Sequence, residues 1–132
     1  MKIPDFNCHI DIHCAVNPSE DQTKVVQSIS NILPDTEIQI SNGSLKATSQ
    51  NLETLTNIFE AIHSRKTQRV YRRFLNNNLH NDSTWFYLNK QAAFSNTIVL
   101  CDEADESPLG PIKIVLTSKN IEEVIDWLVS ED

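Results

Sequence analysis

Ile38-Gln39-Ile40-Ser41-Asn42-Gly43-Ser44-Leu45-Lys46-Ala47 reads as a β-hairpin. Asn42-Gly43 supplies the two positive φ values that a type I′ turn requires, and that turn matches the twist of the strands it joins. Ile38 and Ile40 on one arm then oppose Ala47 and Leu45 on the other, all on one face. The chain therefore builds antiparallel sheet with one apolar side, and the segments around the hairpin supply its neighbours.

Upstream, Phe6, Cys8, Ile10, Ile12, Cys14 and Val16 alternate with Asn7, His9, Asp11 and His13, the period of a half-buried strand. Pro18 follows, and Ser19 with Gln22 reads as a capping box before Val25, Val26, Ile29, Ile32 and Leu33 at helical spacing. Pro34 stops that helix. Downstream, Leu52, Leu55, Ile58, Phe59 and Ile62 form a second helical stripe, running into or bending before a basic helix over 65–76. Asn76-Asn77-Asn78 ends the helices. Trp85-Phe86-Tyr87-Leu88, Ile98-Val99-Leu100 and Ile112 to Leu116 read as strands. Ser107-Pro108-Leu109-Gly110 carries Pro and Gly where a type I turn favours them. Asn120 and Glu123 offer a capping box for a last helix lined by Ile121, Val124, Ile125 and Leu128. The order predicts a single α+β domain over 1–132, a mainly antiparallel sheet covered by helices.

The 132 residues fit one domain with a real core; 39% are apolar and 22% charged, as in ordinary globular proteins. No apolar run approaches the ~18 residues of a membrane span. No apolar segment follows Met1-Lys2-Ile3-Pro4-Asp5, so a cytoplasmic protein is expected, with Cys8, Cys14 and Cys101 as thiols.

The net charge of -7 conceals a segregation. Residues 1–62 hold 8 acids and 3 bases, and residues 91–132 hold 9 acids and 2 bases. Between them, Arg65, Lys66, Arg69, Arg72, Arg73 and Lys90 face a single acid, Asp82. In a helix over 65–76, turning by about 100° per residue, Arg65, Arg69, Arg72 and Arg73 share one face with Lys66 at its margin. Val70, Tyr71, Phe74 and Leu75 fall opposite. Such a face is a footprint for a phosphate-bearing partner, because guanidinium groups bind phosphate oxygens bidentately. Trp85, Tyr87 and Phe94 could add stacking surfaces for unpaired bases. The same stripe also reads as a solvated face paired with the chain's own acids, or as a docking surface for another copy or a protein partner. Lys90 could extend the positive surface and Gln91 read a base edge; alternatively Ala92 and Ala93 permit close packing, with Gln91 satisfying backbone groups.

Cys8-His9-Ile10-Asp11-Ile12-His13-Cys14 resembles a metal site only on paper. On a strand the two cysteines lie about 20 Å apart and the two histidines about 13 Å apart, so neither pair meets on one ion. A local pair of His9 or His13 with Asp11 is the simpler expectation. Asp102, Glu103, Asp105 and Glu106 form an acidic loop without calcium-loop spacing. With only Gly43 and Gly110, the chain has no glycine-rich nucleotide motif. No catalytic residue, metal or cofactor is expected.

Three segments carry a resemblance: Ala15-Val16-Asn17-Pro18-Ser19-Glu20-Asp21, Leu88-Asn89-Lys90-Gln91-Ala92-Ala93-Phe94 and Glu106-Ser107-Pro108-Leu109-Gly110-Pro111-Ile112, with Ile125-Asp126-Trp127-Leu128 adding to it. Over nearly its whole length the chain resembles a family of small archaeal proteins grouped with RNA-binding, exosome-associated proteins. The resemblance implies a fold like that of the large-subunit ribosomal protein that binds 5S ribosomal RNA, an RNA partner and no catalytic residues. This chain departs from the family pattern in the arginine-rich helix and in Asn76-Asn77-Asn78, where a glycine is common. The expected RNA contacts are Arg65, Lys66, Arg69, Arg72, Arg73, Lys90 and Gln91.

Overall fold

The structure, a computed structural model, describes residues 3–104, 106 and 109–131. Its strands are β1 (His9–Ala15), β2 (Glu37–Ser41), β3 (Ser44–Ser49), β4 (Ser83–Asn89), β5 (Leu100–Cys101) and β6 (Pro111–Thr117). They form one sheet in the order β2-β3-β1-β6-β4-β5, every pairing antiparallel. The helices are α1 (Gln22–Ile32), α2 (Thr56–Ser64), α3 (Gln68–Asn77), α4 (Lys90–Phe94) and α5 (Ile121–Leu128), with a 3-10 turn at Leu52–Leu55 leading into α2.

The hairpin is as its sequence dictates. Asn42 and Gly43 have φ of 49° and 78°, and Ile38 pairs with Ala47 and Ile40 with Leu45. β1 places Ile10, Ile12 and Cys14 inward, where they join Leu45, Ala47, Ile112, Ile114, Leu116, Phe86 and Leu88. All five helices bury residues in that same cluster, among them Ile29, Ile58, Leu75, Ala93 and Val124. The helices therefore cover one side of the sheet. On the other side, none of the outward-facing residues of β1, β2, β3, β4 and β6 is buried.

Several local expectations change. α1 is capped by Asp21, whose carboxylate accepts from the Thr23 amide at 2.9 Å, not by Ser19. Pro18 begins a turn closed by the Glu20 amide on the Asn17 carbonyl, so Ser19 lies outside the helix. Asn120 holds the cap position of α5 but makes no side-chain cap bond; its own amide donates to the Ser118 hydroxyl. Of the strand expected at Ile98-Val99-Leu100, Leu100 pairs with β4, followed by Cys101, and the Val99 carbonyl accepts from the Asn89 amide at 2.8 Å. Gly110 has φ of 84°, while Ser107 and Pro108 of the expected turn lie outside the described residues, as does Asp105 of the acidic loop.

The largest change is the break between α2 and α3. The Thr67 amide donates to the Ile62 carbonyl at 3.0 Å and the Lys66 amide to the His63 carbonyl at 3.3 Å. These are the two bonds of a Schellman stop, with Lys66 (φ 56°) in the left-handed position that glycine usually takes. A single helix over 65–76 is thus corrected to a helix end at Ser64 and a fresh start at Gln68.

Candidate nucleic-acid interface

The break rearranges the basic face. Arg65 caps α2 and reaches back, its Nη1 donating to the Ile98 carbonyl, so it does not join the arginines of α3. On α3, Gln68, Tyr71 and Leu75 are buried against the core, which turns Arg69, Val70 and Arg73 outward; Val70, expected inward, is 42% exposed. Arg72 lies between the two sides and pairs with Asp126 of α5 at 2.7 Å. Arg69 meets Glu131 at 3.3 Å, with 91% of its side chain still in solvent. Exposed pairs of this kind add little stability and yield readily to a competing anion. Arg73 and Lys66 are exposed and have no ion-pair partner among the described residues. The cations available to a polyanion are therefore Arg69 and Arg73 on α3 and Lys66 in the break before it, with Arg72 partly engaged.

Lys90 leaves the interface altogether. It opens α4 directly behind β4, is 2% exposed, and donates to the Ala15 carbonyl at 2.8 Å and to Glu20 Oε1 at 2.9 Å. The same carboxylate oxygen accepts from the Asn17 amide at 3.0 Å and from Asn17 Nδ2 at 2.6 Å, and Nδ2 also donates to the Leu109 carbonyl. Partial desolvation pushes the Glu20 carboxyl up, but the Asn17 and Lys90 donors outweigh it and hold it below its ordinary value. The three sequence segments that carry the family resemblance meet at this cluster, and its role is to fasten them. Gln91 is exposed and lines a cleft of about 350 Å³ with Lys24, Ser28 and Phe94.

Trp85 and Tyr87 stand on the open side of β4 with ring centroids 4.9 Å apart. Phe94, at the end of α4, is 44% exposed with Lys24 over its ring, and its cleft does not include the β4 pair. His9 does meet Asp11, at 3.2 Å. Burial pushes the Cys8 and Cys14 thiols up to about 11, against a lowering hydrogen bond at Thr117 and the nearby Lys90 charge respectively. Burial raises Cys101 as well. Glu106 turns inward on its own loop, accepting from the amides of Asp102 and Glu103. Among the described residues no helix is long and apolar enough to cross a membrane.

The chain is similar to UPF0201 proteins of two archaea. It is 32% identical to that of Methanothermobacter thermautotrophicus over 92% of this chain and 91% of the relative. It is 35% identical to that of Sulfurisphaera tokodaii over 90% and 85%. A crystal structure of a UPF0201 protein, 28% identical, superposes with a TM-score of 0.80 over 93% of this chain and 94% of the other. A second, from Methanococcus jannaschii, has a TM-score of 0.81 over 94% of each chain at 23% identity, and bears on the fold alone. A family model described as RNA binding matches residues 9–118, from the first residue of β1 to the residue after β6. With an α+β fold shared by solved relatives and a family match across its whole sheet, this chain belongs to the UPF0201 family of archaeal proteins and to the RNA-binding family that this model describes.

Proposed function

We propose that this chain is a noncatalytic, cytoplasmic RNA-binding protein whose α3 grips the phosphate backbone through Lys66, Arg69 and Arg73, with Arg72 released from Asp126 on binding. The observation that carries the reading is the RNA-binding family match over residues 9–118, which includes all of α3. The exposure of Lys66, Arg69 and Arg73, with Arg72 half-buried beside them, on an otherwise acidic chain supports it. Its setting, by the resemblance of its three motifs, is beside an exosome-type RNA-processing assembly. The noncatalytic part rests on the family resemblance, which implies no catalytic residues; the three buried thiols, raised above their ordinary value, are in keeping with it.

The test is binding to labelled single-stranded and duplex RNA across a salt series. Saturable binding with a negative log–log salt slope is expected. The variant Lys66→Gln/Arg69→Gln/Arg73→Gln should bind more weakly, its slope on single strands shallower by about 2, at ~0.7 per lost phosphate contact. No binding at low salt by the folded wild type overturns the reading. The alternative, a protein-interaction or self-assembly surface, draws on one observation: Arg69 and Arg72 already hold carboxylates. It gains ground if the protein ignores RNA and its mass rises with concentration.

A further inference from the structure

The helices cover one side of the sheet, and the other side has a chemistry of its own. Lys46, His13, Lys113 and Tyr87 are successive cross-strand neighbours on β3, β1, β6 and β4. They form one line across three strand gaps, about 14 Å at ~4.8 Å per gap. Trp85 sits beside Tyr87, and Lys113 Nζ stands 4.8 Å from the centroid of its indole. Phe74 of α3 meets the same indole edge-on at 6.1 Å. Two acids on the strands of this side, Asp11 and Glu37, lie in the adjacent line, in the order Glu37, Thr48, Asp11, Val115, Trp85. His9 holds Asp11, and Val115 separates it from the indole. Lys46, His13, Lys113 and Tyr87 therefore form a run without a carboxylate among them; beyond Tyr87 the line ends at the buried Cys101 of β5, beside which Glu106 and Asp102 lie.

We propose that this open side of the sheet is a platform for unpaired bases of single-stranded RNA, with Trp85 and Tyr87 as the stacking surfaces and Lys113, His13 and Lys46 as the track for the backbone. The proposal rests on the RNA-binding reading and adds the class of RNA and a second surface. Rings on a water-facing strand offer π-faces that any base can use, and stacking of this kind is tolerant of sequence. Exposed cation–π contacts are weaker than base–aromatic stacking. An arriving base can therefore displace the Lys113 ammonium from the indole and leave it beside the phosphate that the base brings. Duplex RNA has its bases stacked inside and cannot use such a platform. Through Phe74, the platform adjoins α3, so one strand leaving the rings can meet the arginines.

The experiment uses the full chain carrying Trp127→Phe, so that Trp85 is the only indole, with a single-stranded oligouridine and a duplex of equal length. Saturable quenching of Trp85 emission by the single strand is expected. Tyr87→Ala and Lys113→Gln should each weaken single-strand binding by about tenfold and leave duplex binding as it was. Lys66→Gln/Arg69→Gln/Arg73→Gln should weaken both. Trp85→Phe, which keeps a ring, should retain more affinity than Trp85→Leu when binding is read from a fluorescently labelled oligouridine, with circular dichroism checking that both fold. If the wild type binds RNA while Tyr87→Ala and Lys113→Gln bind single strands equally well, the platform is overturned and the α3 reading stands. If the folded wild type binds neither RNA, both are overturned.

Discussion

Lys90 was legible in sequence only as a lysine after a strand, which reads as surface. It has no periodic partner, because its carboxylate lies 70 residues away. The signal was in the motifs. Glu20 is left over once Asp21 caps α1, and Asn17, Lys90 and Leu109 each come from a different one of the three resembling segments. In the folded chain a single carboxylate oxygen serves Lys90 and both nitrogens of Asn17. Removing Glu20 strands the Lys90 ammonium at 3% side-chain exposure, and removing Lys90 takes the cation from a carboxylate that is itself only 11% exposed. Lys90→Met should therefore cost about 3 kcal/mol in urea unfolding, with Glu20→Leu/Lys90→Met recovering part of the loss. The pH dependence has a definite sign. Glu20 has a folded value below its ordinary 4.5, so its contribution is present above that pH and is lost as pH falls through the folded value. Acid unfolding monitored by circular dichroism should show this component in the wild type, and Glu20→Gln should lack it.

At the scale of elements, the hairpin, β1, β4, β6 and the buried stripes of α1, α2 and α5 were all readable, because period and turn chemistry agree there. The break at Lys66 was not. Among the described residues five non-glycine positions have positive φ, and four of them are Asn or Asp, which announce such positions. The fifth is Lys66, a residue with no preference for a left-handed backbone. A basic helix over 65–76, with the preceding helix running into it or bending before it, left the place of the break open and carried Arg65 onto a face that it does not join. The strain is testable. Lys66→Gly should stabilise the protein by about 0.5–1 kcal/mol, a rise of roughly 2–6 °C in Tm. Because that change also removes an exposed cation, Lys66→Asn, which tolerates the conformation, should separate backbone from charge when RNA binding is compared with Lys66→Gln.

For the whole molecule, the sign of each third of the chain was clear, but folding redistributes the charge. The basic middle segment gives Lys90 to Glu20 in the interior, while the acidic C-terminal region returns Asp126 and Glu131 to α3. A count along the chain could not show this, since the pairing residues are 54 and 62 positions apart. If α3 binds phosphate, these carboxylates compete with RNA. Asp126→Asn/Glu131→Gln should then tighten binding several-fold and steepen the salt slope, in the same titrations; weaker binding would instead assign the acids a part in holding the arginines in place. The uncovered side of the sheet was equally hidden. Alternation predicts that one side is polar, but not that Lys46, His13, Lys113 and Tyr87 align, because register joins residues from four separate segments.

The position of β1 has a consequence for how the protein is made. It lies between β3, complete by Ser49, and β6, which ends at Thr117. On a ribosome adding ~5–20 residues per second, the roughly 70 residues that separate those points take about 4–14 s to appear. For that interval the nascent chain can hold a three-stranded β2-β3-β1 ribbon whose inner edge, His9–Ala15, has no neighbour. Closure waits for the last of the six strands to be synthesised, so β1 keeps an open edge for most of the time that the sheet takes to appear.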